Sequence, residues 1–197
     1  MRVSVEPYHP QWKQRYKELE AELQQLLSGL DPHIEHIGST SVEGLSAKPT
    51  IDILVGLAHV EPEETVIRLI NHPYIYIRAF TTAMPERRFF IRMKEDKGYP
   101  AIIDDAAAID DTINLHKLAH IHIVGYRGAF WERHLAFREY LRNHPDVKQQ
   151  YQDLKLELSQ RDWPDAFAFN EAKTAFIKEK EALALQWWLA QQQNGKL

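Results

Sequence analysis

The sequence predicts an α+β protein in which helices flank a β-sheet and a helical layer follows towards the carboxy terminus. The run TIDILVGL, residues 50–57, is almost continuously apolar and has the length of a strand covered on both faces. LAHIHIVG, residues 118–125, alternates polar and apolar side chains as a strand does. From Ala129 onward, apolar residues recur at helical spacing. We expect one domain over residues 1–197, with the helical layer beginning near residue 129.

The remaining elements follow from the same two periods. Alternating or continuous apolar residues predict strands at residues 2–8, 34–37, 74–80 and 87–93. Apolar residues three and four apart predict helices at residues 11–27, 61–70, 131–141, 147–158 and 170–190. Residues 94–116 lack a clear period, which favours a loop. We expect the strands at 34–37, 51–57 and 118–124 to be neighbours in a mixed sheet.

The composition is typical of a globular protein with a small negative charge. Apolar residues make up 44% and charged residues 26% of the chain, and 24 Lys and Arg stand against 28 Asp and Glu. The formal charge of -4 argues against broad nucleic-acid binding, although a local basic pocket stays open. The chain has no cysteine, which excludes disulfides and thiolate chemistry. Because no apolar run approaches ~20 residues, we expect a cytoplasmic protein without a membrane span.

The segment GSTSVEGL, residues 38–45, combines glycine with hydroxyl side chains directly after a predicted strand. Glycine allows close approach of the backbone, and hydroxyl and N–H groups can donate to phosphate oxygens. We therefore predict a phosphate-binding turn formed by Gly38, Ser39, Thr40 and Ser41. The spacing does not match a P-loop, and a plain structural turn is the alternative.

Asp52 interrupts the most apolar predicted strand. A buried carboxylate is costly unless cations or donors meet it, so this position indicates a site. A Gly-Ser turn followed by an aspartate on a second apolar strand resembles the nucleotidyltransferase pattern hG[GS]…DhDh, where h is hydrophobic. In that superfamily the turn holds the triphosphate, and the strand carboxylates hold Mg²⁺ for phosphoryl transfer. Here Leu54 occupies the second carboxylate position.

The resemblance extends to one family. Segments similar to VEPYHPQW, IEHIGSTSVEGLSAKPTIDILV, RRFF, HIHIV, FREYLRNHP and EAKTAFI occur in this order in the GrpB (UPF0157) family, over roughly residues 3–180. The resemblance implies a nucleotidyltransferase-like fold in a family that includes domains fused to dephospho-CoA kinase. Asp52 and Glu35 are the candidate catalytic carboxylates. Phe169 stands where the family pattern has a tyrosine.

A divalent metal is the cofactor that this pattern predicts. His120 and His122 project from one face of a strand, and imidazoles two residues apart can chelate one transition metal together with Asp52. Histidine with carboxylate favours Zn²⁺ or Mn²⁺ over Mg²⁺ alone. Glu35 is a further candidate ligand or base. The alternative is a hydrogen-bonded histidine pair that contacts Asp52 or Glu35.

Basic side chains complete the predicted site. Lys48 lies just before the Asp52 strand, and only one of Arg87 and Arg88 can face the site side of an alternating strand. The resemblance favours Arg88. Arg138 lies on the apolar face of a helix and needs an anionic partner, namely Glu35, Asp52 or a ligand phosphate. Lys173 is a weaker candidate of the same kind.

These residues favour three functions. The first is a metal-dependent nucleotidyltransferase that acts on an NTP and an unknown acceptor. The second is a non-catalytic module that binds a nucleotide or a CoA-type phosphate, and the third is a hydrolase that uses a metal on the two histidines. A two-metal transferase requires another carboxylate in the place of Leu54, from Glu35, Asp104 or Asp105.

Overall fold

The computed structural model describes residues 2–60, 62–71, 73–96 and 98–195, which form two compact units. The sheet unit contains the described parts of Gln11–Ile37 and Thr50–Trp131. The helical unit contains the described parts of Met1–Pro10, Gly38–Pro49 and Glu132–Leu197. Each unit therefore brings together segments that are far apart in the chain.

The sheet unit is built on one mixed sheet of six strands. The strands are β1 (His33–Ile37), β2 (Ile51–Leu57), β3 (Tyr74–Ile77), β4 (Arg87–Met93), β5 (Ile102–Ile103) and β6 (Lys117–Gly125). Their order in the sheet is β1-β2-β6-β4-β3-β5. β2 runs antiparallel to β1 and parallel to β6, which in turn runs antiparallel to β4. This order confirms the prediction that β2 lies inside the sheet, with β1 and β6 as its neighbours.

Helices α1 (Gln11–Leu26), α2 (Pro62–Leu69) and α3 (Asp111–His116) belong to the sheet unit. α1 contacts β1 and β2 and buries the apolar side chains that recur at helical spacing, Trp12, Tyr16, Leu19 and Leu23. Burying such side chains is the main favourable term in folding. The amphipathic pattern in the sequence therefore correctly predicts both the helix α1 and its buried face.

The helical unit contains most of α4 (Ala129–Asn143) and all of α5 (Pro145–Ser159), α6 (Ala166–Glu171) and α7 (Thr174–Gln193). The segment that follows Gly38 packs on these helices. Its buried side chains Val42 and Leu45 form a core cluster with Leu141, Val147 and Tyr151. The predicted turn is thus fixed to α4 and α5 by apolar burial.

The structure corrects four predicted elements. Residues 2–8 do not form a strand, and only a single bridge joins Glu6 to Ala47. Residues 94–116 are not all loop, because they contain β5 and α3. The predicted strand at 74–80 ends at Ile77, and the predicted helix at 170–190 is divided into α6 and α7. Glu61, the first residue of the predicted helix at 61–70, lies outside the described residues.

The mixed six-stranded sheet, its helices and the carboxy-terminal helices confirm the α+β fold class. None of the helices in the described ranges combines the length and the apolar character needed to cross a membrane.

Candidate functional site

The predicted phosphate-binding turn lies in the helical unit. Gly38 has φ 69°, a left-handed conformation that glycine adopts at little cost, and a short 3₁₀ turn, Ser39–Ser41, follows it. The Ser41 hydroxyl donates to the Gly38 carbonyl at 2.6 Å, and Thr40 is buried. Ser39 is less buried than these two neighbours. The turn is therefore rigid, and the Ser39 hydroxyl is the side-chain donor best placed for a ligand.

Helix α5 presents a row of polar side chains to residues 39–46. Lys148 Nζ donates to the Glu43 carbonyl at 3.2 Å, and Gln152 Oε1 accepts from the Ser46 N–H at 2.9 Å. Lys155 Nζ donates to the Ser39 hydroxyl oxygen at 3.0 Å and also to the Ser46 carbonyl. The spacing of four and three residues places these side chains on one helix face.

Lys155 is the most unusual member of this row. Its side chain is 3% exposed and lies over the Tyr151 ring, with Nζ 4.5 Å from the ring centroid. In the described part of the chain it forms no ion pair with a carboxylate. Burial, reinforced by the positive charge of Lys173, lowers the pKa of Lys155 to about 7. A buried cation with a perturbed pKa beside a hydroxyl-rich turn is a candidate binding group.

Sequence reasoning missed Lys155. The available signal was a lysine on the apolar face of α5, four residues after Tyr151 and three before Leu158. The same argument singled out Arg138, whose Nε donates to Glu139 at 2.8 Å. Glu139 is a partner that the sequence analysis did not propose for Arg138. Glu139 also accepts from Arg142, which donates in addition to the Ser41 carbonyl at 2.7 Å.

The sheet unit carries the predicted acidic and imidazole groups on one face of β1, β2 and β6. The register pairs Asp52 with His120 and pairs Leu54 with both Glu35 and His122. Because paired residues in neighbouring strands point to the same side, all five side chains share this face. The two histidines therefore face the same side, as their spacing predicts.

Asp52 and His120 form a direct hydrogen bond, with 2.9 Å between Asp52 Oδ1 and His120 Nδ1. Their side chains are 30% and 23% exposed. Burial acts to raise the pKa of Asp52, but the hydrogen bond to His120, with the charges of His120, His122 and His36, holds it below its usual range. An aspartate that engages Nδ1 of a histidine fixes the orientation of the ring, which is an arrangement suited to proton transfer through Nε2.

His122 has a different partner. Its Nδ1 lies 3.3 Å from Arg87 Nη1, and the register places Arg87 and Phe89 on the same face of β4. Arg88 lies on the opposite face and donates to the carbonyls of Pro85 and Arg87. The expectation that Arg88 faces the site side is therefore wrong. Alternation along β4 places Arg87 there instead.

The described residues do not fit the predicted metal centre. They contain no group of three or more histidine and carboxylate side chains that could hold a metal ion. The place of a second carboxylate belongs to Leu54, which is 0% exposed. Asp104 is ion-paired with Arg78, and Asp105 accepts from the Ala107 N–H. The contact of His120 with Asp52 is one that the alternative of hydrogen-bonded histidines names, whereas His122 contacts Arg87, which that alternative did not include.

The fold and these two groups of side chains define an α+β protein with a hydroxyl-rich turn in one unit and an acidic and imidazole-bearing sheet face in the other. The family model for GrpB protein matches residues 2–182, and the chain belongs to the GrpB family. It is 29% identical to the glutamate-rich protein GrpB of Alkalihalophilus pseudofirmus over 170 residues, which cover 85% of this chain and 87% of that one.

A solved structure has the same fold. The crystal structure of the conserved protein GrpB from Enterococcus faecalis matches with a TM-score of 0.75 and 31% identity, over 94% of this chain and 99% of that one. A dephospho-CoA kinase of Mycolicibacterium paratuberculosis is 23% identical over 191 residues, which cover 94% of this chain and 46% of the kinase.

Proposed function

We propose that this GrpB-family protein binds a small phosphate-bearing ligand, a nucleotide or a CoA-type molecule, at the turn Gly38–Ser41. The observation that carries the proposal is the hydrogen bond from the buried Lys155 ammonium to the Ser39 hydroxyl. A phosphate beside these two groups would accept from both, and charge-assisted hydrogen bonds of this kind are among the stronger ones in proteins.

The charges of the helical unit favour an anion at this turn. The positive charge of Lys173 acts on Lys155, so two cations are held near each other. Such an arrangement disfavours the protonated state of Lys155 in the ligand-free protein. A phosphate would reverse this effect because its negative charge stabilises both ammonium groups.

The carboxylates of the sheet unit support binding over two-metal transfer. Two-metal catalysis needs ligands for both ions, and among the described residues Asp52 engages His120 while Leu54 fills the second ligand position. The nucleotidyltransferase, with Asp52 and Glu35 as its acidic residues, is the second candidate function. Glu35 favours it because the register places Glu35 directly opposite Leu54. Because this second function requires a metal, ligand binding must also be measured with Mg²⁺, Mn²⁺ and Zn²⁺.

The test is a binding panel on the full chain. Isothermal titration calorimetry and thermal shift would use ATP, CoA, dephospho-CoA and pyrophosphate, each in EDTA and in each divalent ion. We expect at least one ligand to bind in EDTA. Lys155→Met and Ser39→Ala should each weaken its binding about tenfold or more, because each removes a direct phosphate donor.

The matched control is Lys178→Met, which removes the same charge from an exposed position of α7. It should bind as the wild type does. If binding requires a divalent ion, is lost in Asp52→Asn and is unchanged in Lys155→Met, the proposal fails. The nucleotidyltransferase is then the better supported function. If Lys178→Met weakens binding as much as Lys155→Met, the effect is general electrostatics and the turn is not the site.

A further inference from the structure

We propose that the face of the sheet that carries Arg87 binds a second kind of ligand, a small oxyanion attached to a flat aromatic ring. This inference goes beyond phosphate binding at the turn and rests on different residues. All of them belong to the sheet unit.

Three phenylalanine rings surround the guanidinium of Arg87. Its guanidinium carbon lies 4.9 Å from the centroid of the Phe89 ring, 5.8 Å from that of Phe130 and 6.0 Å from that of Phe80. Cation–π contacts at these distances are attractive and restrict the movement of the guanidinium. The side chain is therefore already ordered before a ligand arrives, which reduces the entropy that binding must overcome.

The groups beside Arg87 are imidazoles and a carboxylate on the same face. Arg87 Nη1 contacts His122 Nδ1 at 3.3 Å, and the Phe89 ring lies 5.0 Å from the His122 ring and 5.3 Å from the His120 ring. Asp52 and His120 are partly exposed, at 30% and 23%. On this face the Arg87 guanidinium, the Phe89 ring and the two imidazoles are therefore neighbours, and Arg87, His122, His120 and Asp52 are each partly exposed.

These groups specify the ligand by its chemistry. A guanidinium presents donors in a planar fork, which matches a carboxylate or a phosphate. The half-buried Phe130 ring can stack with a flat ring, which adds to the attraction for an anion that carries one. An oxyanion on an aromatic ring uses both features, whereas an oxyanion alone uses only the first.

Arg88 shows that the aromatic and imidazole environment of Arg87 belongs to one face of β4. It is the next residue on β4, it is buried on the other side, and it donates to the carbonyls of Pro85 and Arg87. The two arginines have the same charge and adjacent positions, but only Arg87 lies among the aromatic rings and imidazoles. Arg88 is therefore a matched control for Arg87.

The test uses phenyl phosphate and benzoate as probes, with inorganic phosphate and acetate as the ring-free comparison. Binding to the full chain would be measured by ligand-observed NMR and by calorimetry. We expect the aromatic probes to bind more tightly than the ring-free ones, and Arg87→Met to weaken the aromatic probes about tenfold or more. Arg88→Met and the exposed-lysine variant Lys178→Met should leave their binding within about twofold of the wild type.

Three outcomes that do not involve Lys155 would overturn the proposal. They are equal affinity for aromatic and ring-free probes, equal loss in Arg87→Met and Arg88→Met, and unchanged binding in Arg87→Met. If Arg87→Met does not fold, Arg87→Lys replaces it, because lysine keeps the charge without the planar fork. Loss of benzoate binding in Lys155→Met would assign this phosphate-free probe to the turn and also refute a second site. Failure at Arg87 does not affect the result expected at Lys155.

Discussion

Lys155 and Asp52 are charged side chains in largely apolar surroundings, and each is accommodated differently. Asp52 accepts a hydrogen bond from His120, and the histidine charges around it hold its pKa low. Lys155 has neutral oxygen partners, the Ser39 hydroxyl and the Ser46 carbonyl, and its pKa is lowered to about 7. A hydrogen-bonded aspartate is stable without a ligand, whereas Lys155 gains a counter-charge only when an anion arrives.

Phosphate binding should therefore take up protons above neutral pH. In the ligand-free protein the pKa of Lys155 is about 7, below its ordinary value, so at pH 8 most Lys155 is neutral. A bound anion favours the ammonium form and raises the pKa, so Lys155 takes up a proton on binding. We expect calorimetry with ATP at pH 8, in buffers of different ionisation enthalpy, to show this uptake, since the ATP phosphates are already ionised there.

The pH dependence has a defined sign. Because the unfolded chain binds more protons at Lys155 between about pH 7 and 10, this residue makes the ligand-free protein more stable as the pH rises through that window. Ligand affinity has the opposite trend and falls as the pH rises above 7. Lys155→Arg keeps a charge that does not titrate in this range, so it should bind without proton uptake. Equal uptake in that variant would assign the proton to another group.

At the scale of secondary-structure elements, the spacing of apolar residues in the sequence was sufficient to predict β2, β4, β6 and α1. Residues of these elements are buried on regular faces, so hydrophobic spacing reports them directly. β5 has two residues and α3 has six, which is too short for a period to be visible. The predicted strand at 2–8 failed because alternation shows that a segment suits a strand, whereas pairing depends on the neighbours the fold supplies.

The candidate site was predictable only in part, for related reasons. Pairing of Asp52 with His120 follows from the register of β2 and β6, and the strand periods placed both residues on strands. The choice between Arg87 and Arg88 depends on which face of β4 meets the histidines, and the sequence does not contain that information. Lys155 could have been found because a charge on an apolar helix face requires an explanation.

Gly56 of β2 should be intolerant of any side chain. A Cβ at this position would lie 2.7 Å from Trp131 Cζ3 and 2.8 Å from Trp131 Cε3. Because the indole is buried and cannot move away easily, we expect Gly56→Ala to lower the free energy of unfolding by about 1–3 kcal/mol. Urea unfolding with an unchanged m-value would measure the loss.

Gly125 of the neighbouring strand β6 is the control. No atom lies within 4 Å of a Cβ built there, so Gly125→Ala should change the free energy of unfolding by less than about 0.5 kcal/mol. Equal losses in the two variants would mean that Trp131 does not limit the space at Gly56 and that the effect belongs to strand glycines in general.

At the scale of the whole molecule, one stretch contributes to both units. Residues 34–37 and 51–55 lie in strands of the sheet unit, and Gly38–Pro49 between them belongs to the helical unit. The family likeness and the fold class could both be recognised from this stretch and the segments around it, and the family match and the solved GrpB structure confirm them. Function depends instead on single side chains, of which Leu54 is the most informative.

Leu54→Asp tests on the full chain whether a carboxylate at position 54 is enough to complete a metal site. Leu54 is buried beside Glu35 and His122, so in EDTA the variant should lose about 3 kcal/mol or more of unfolding free energy. Mn²⁺ should restore part of the loss, because the new carboxylate and Asp52 would lie on one face and a ligand that binds only the folded state stabilises it. Thermal unfolding with and without Mn²⁺ measures both effects.

Leu54→Asn is the matched control, since it buries a polar group of the same size without a negative charge. We expect it to be destabilised in EDTA and to respond to Mn²⁺ no more than the wild type, whose melting temperature should not depend on the ion. Equal rescue of both variants would show that position 54 does not complete a metal site. A wild-type chain that Mn²⁺ stabilises by several degrees, with that gain lost in Asp52→Asn, would show that its own side chains already bind the ion, and the nucleotidyltransferase would then gain support.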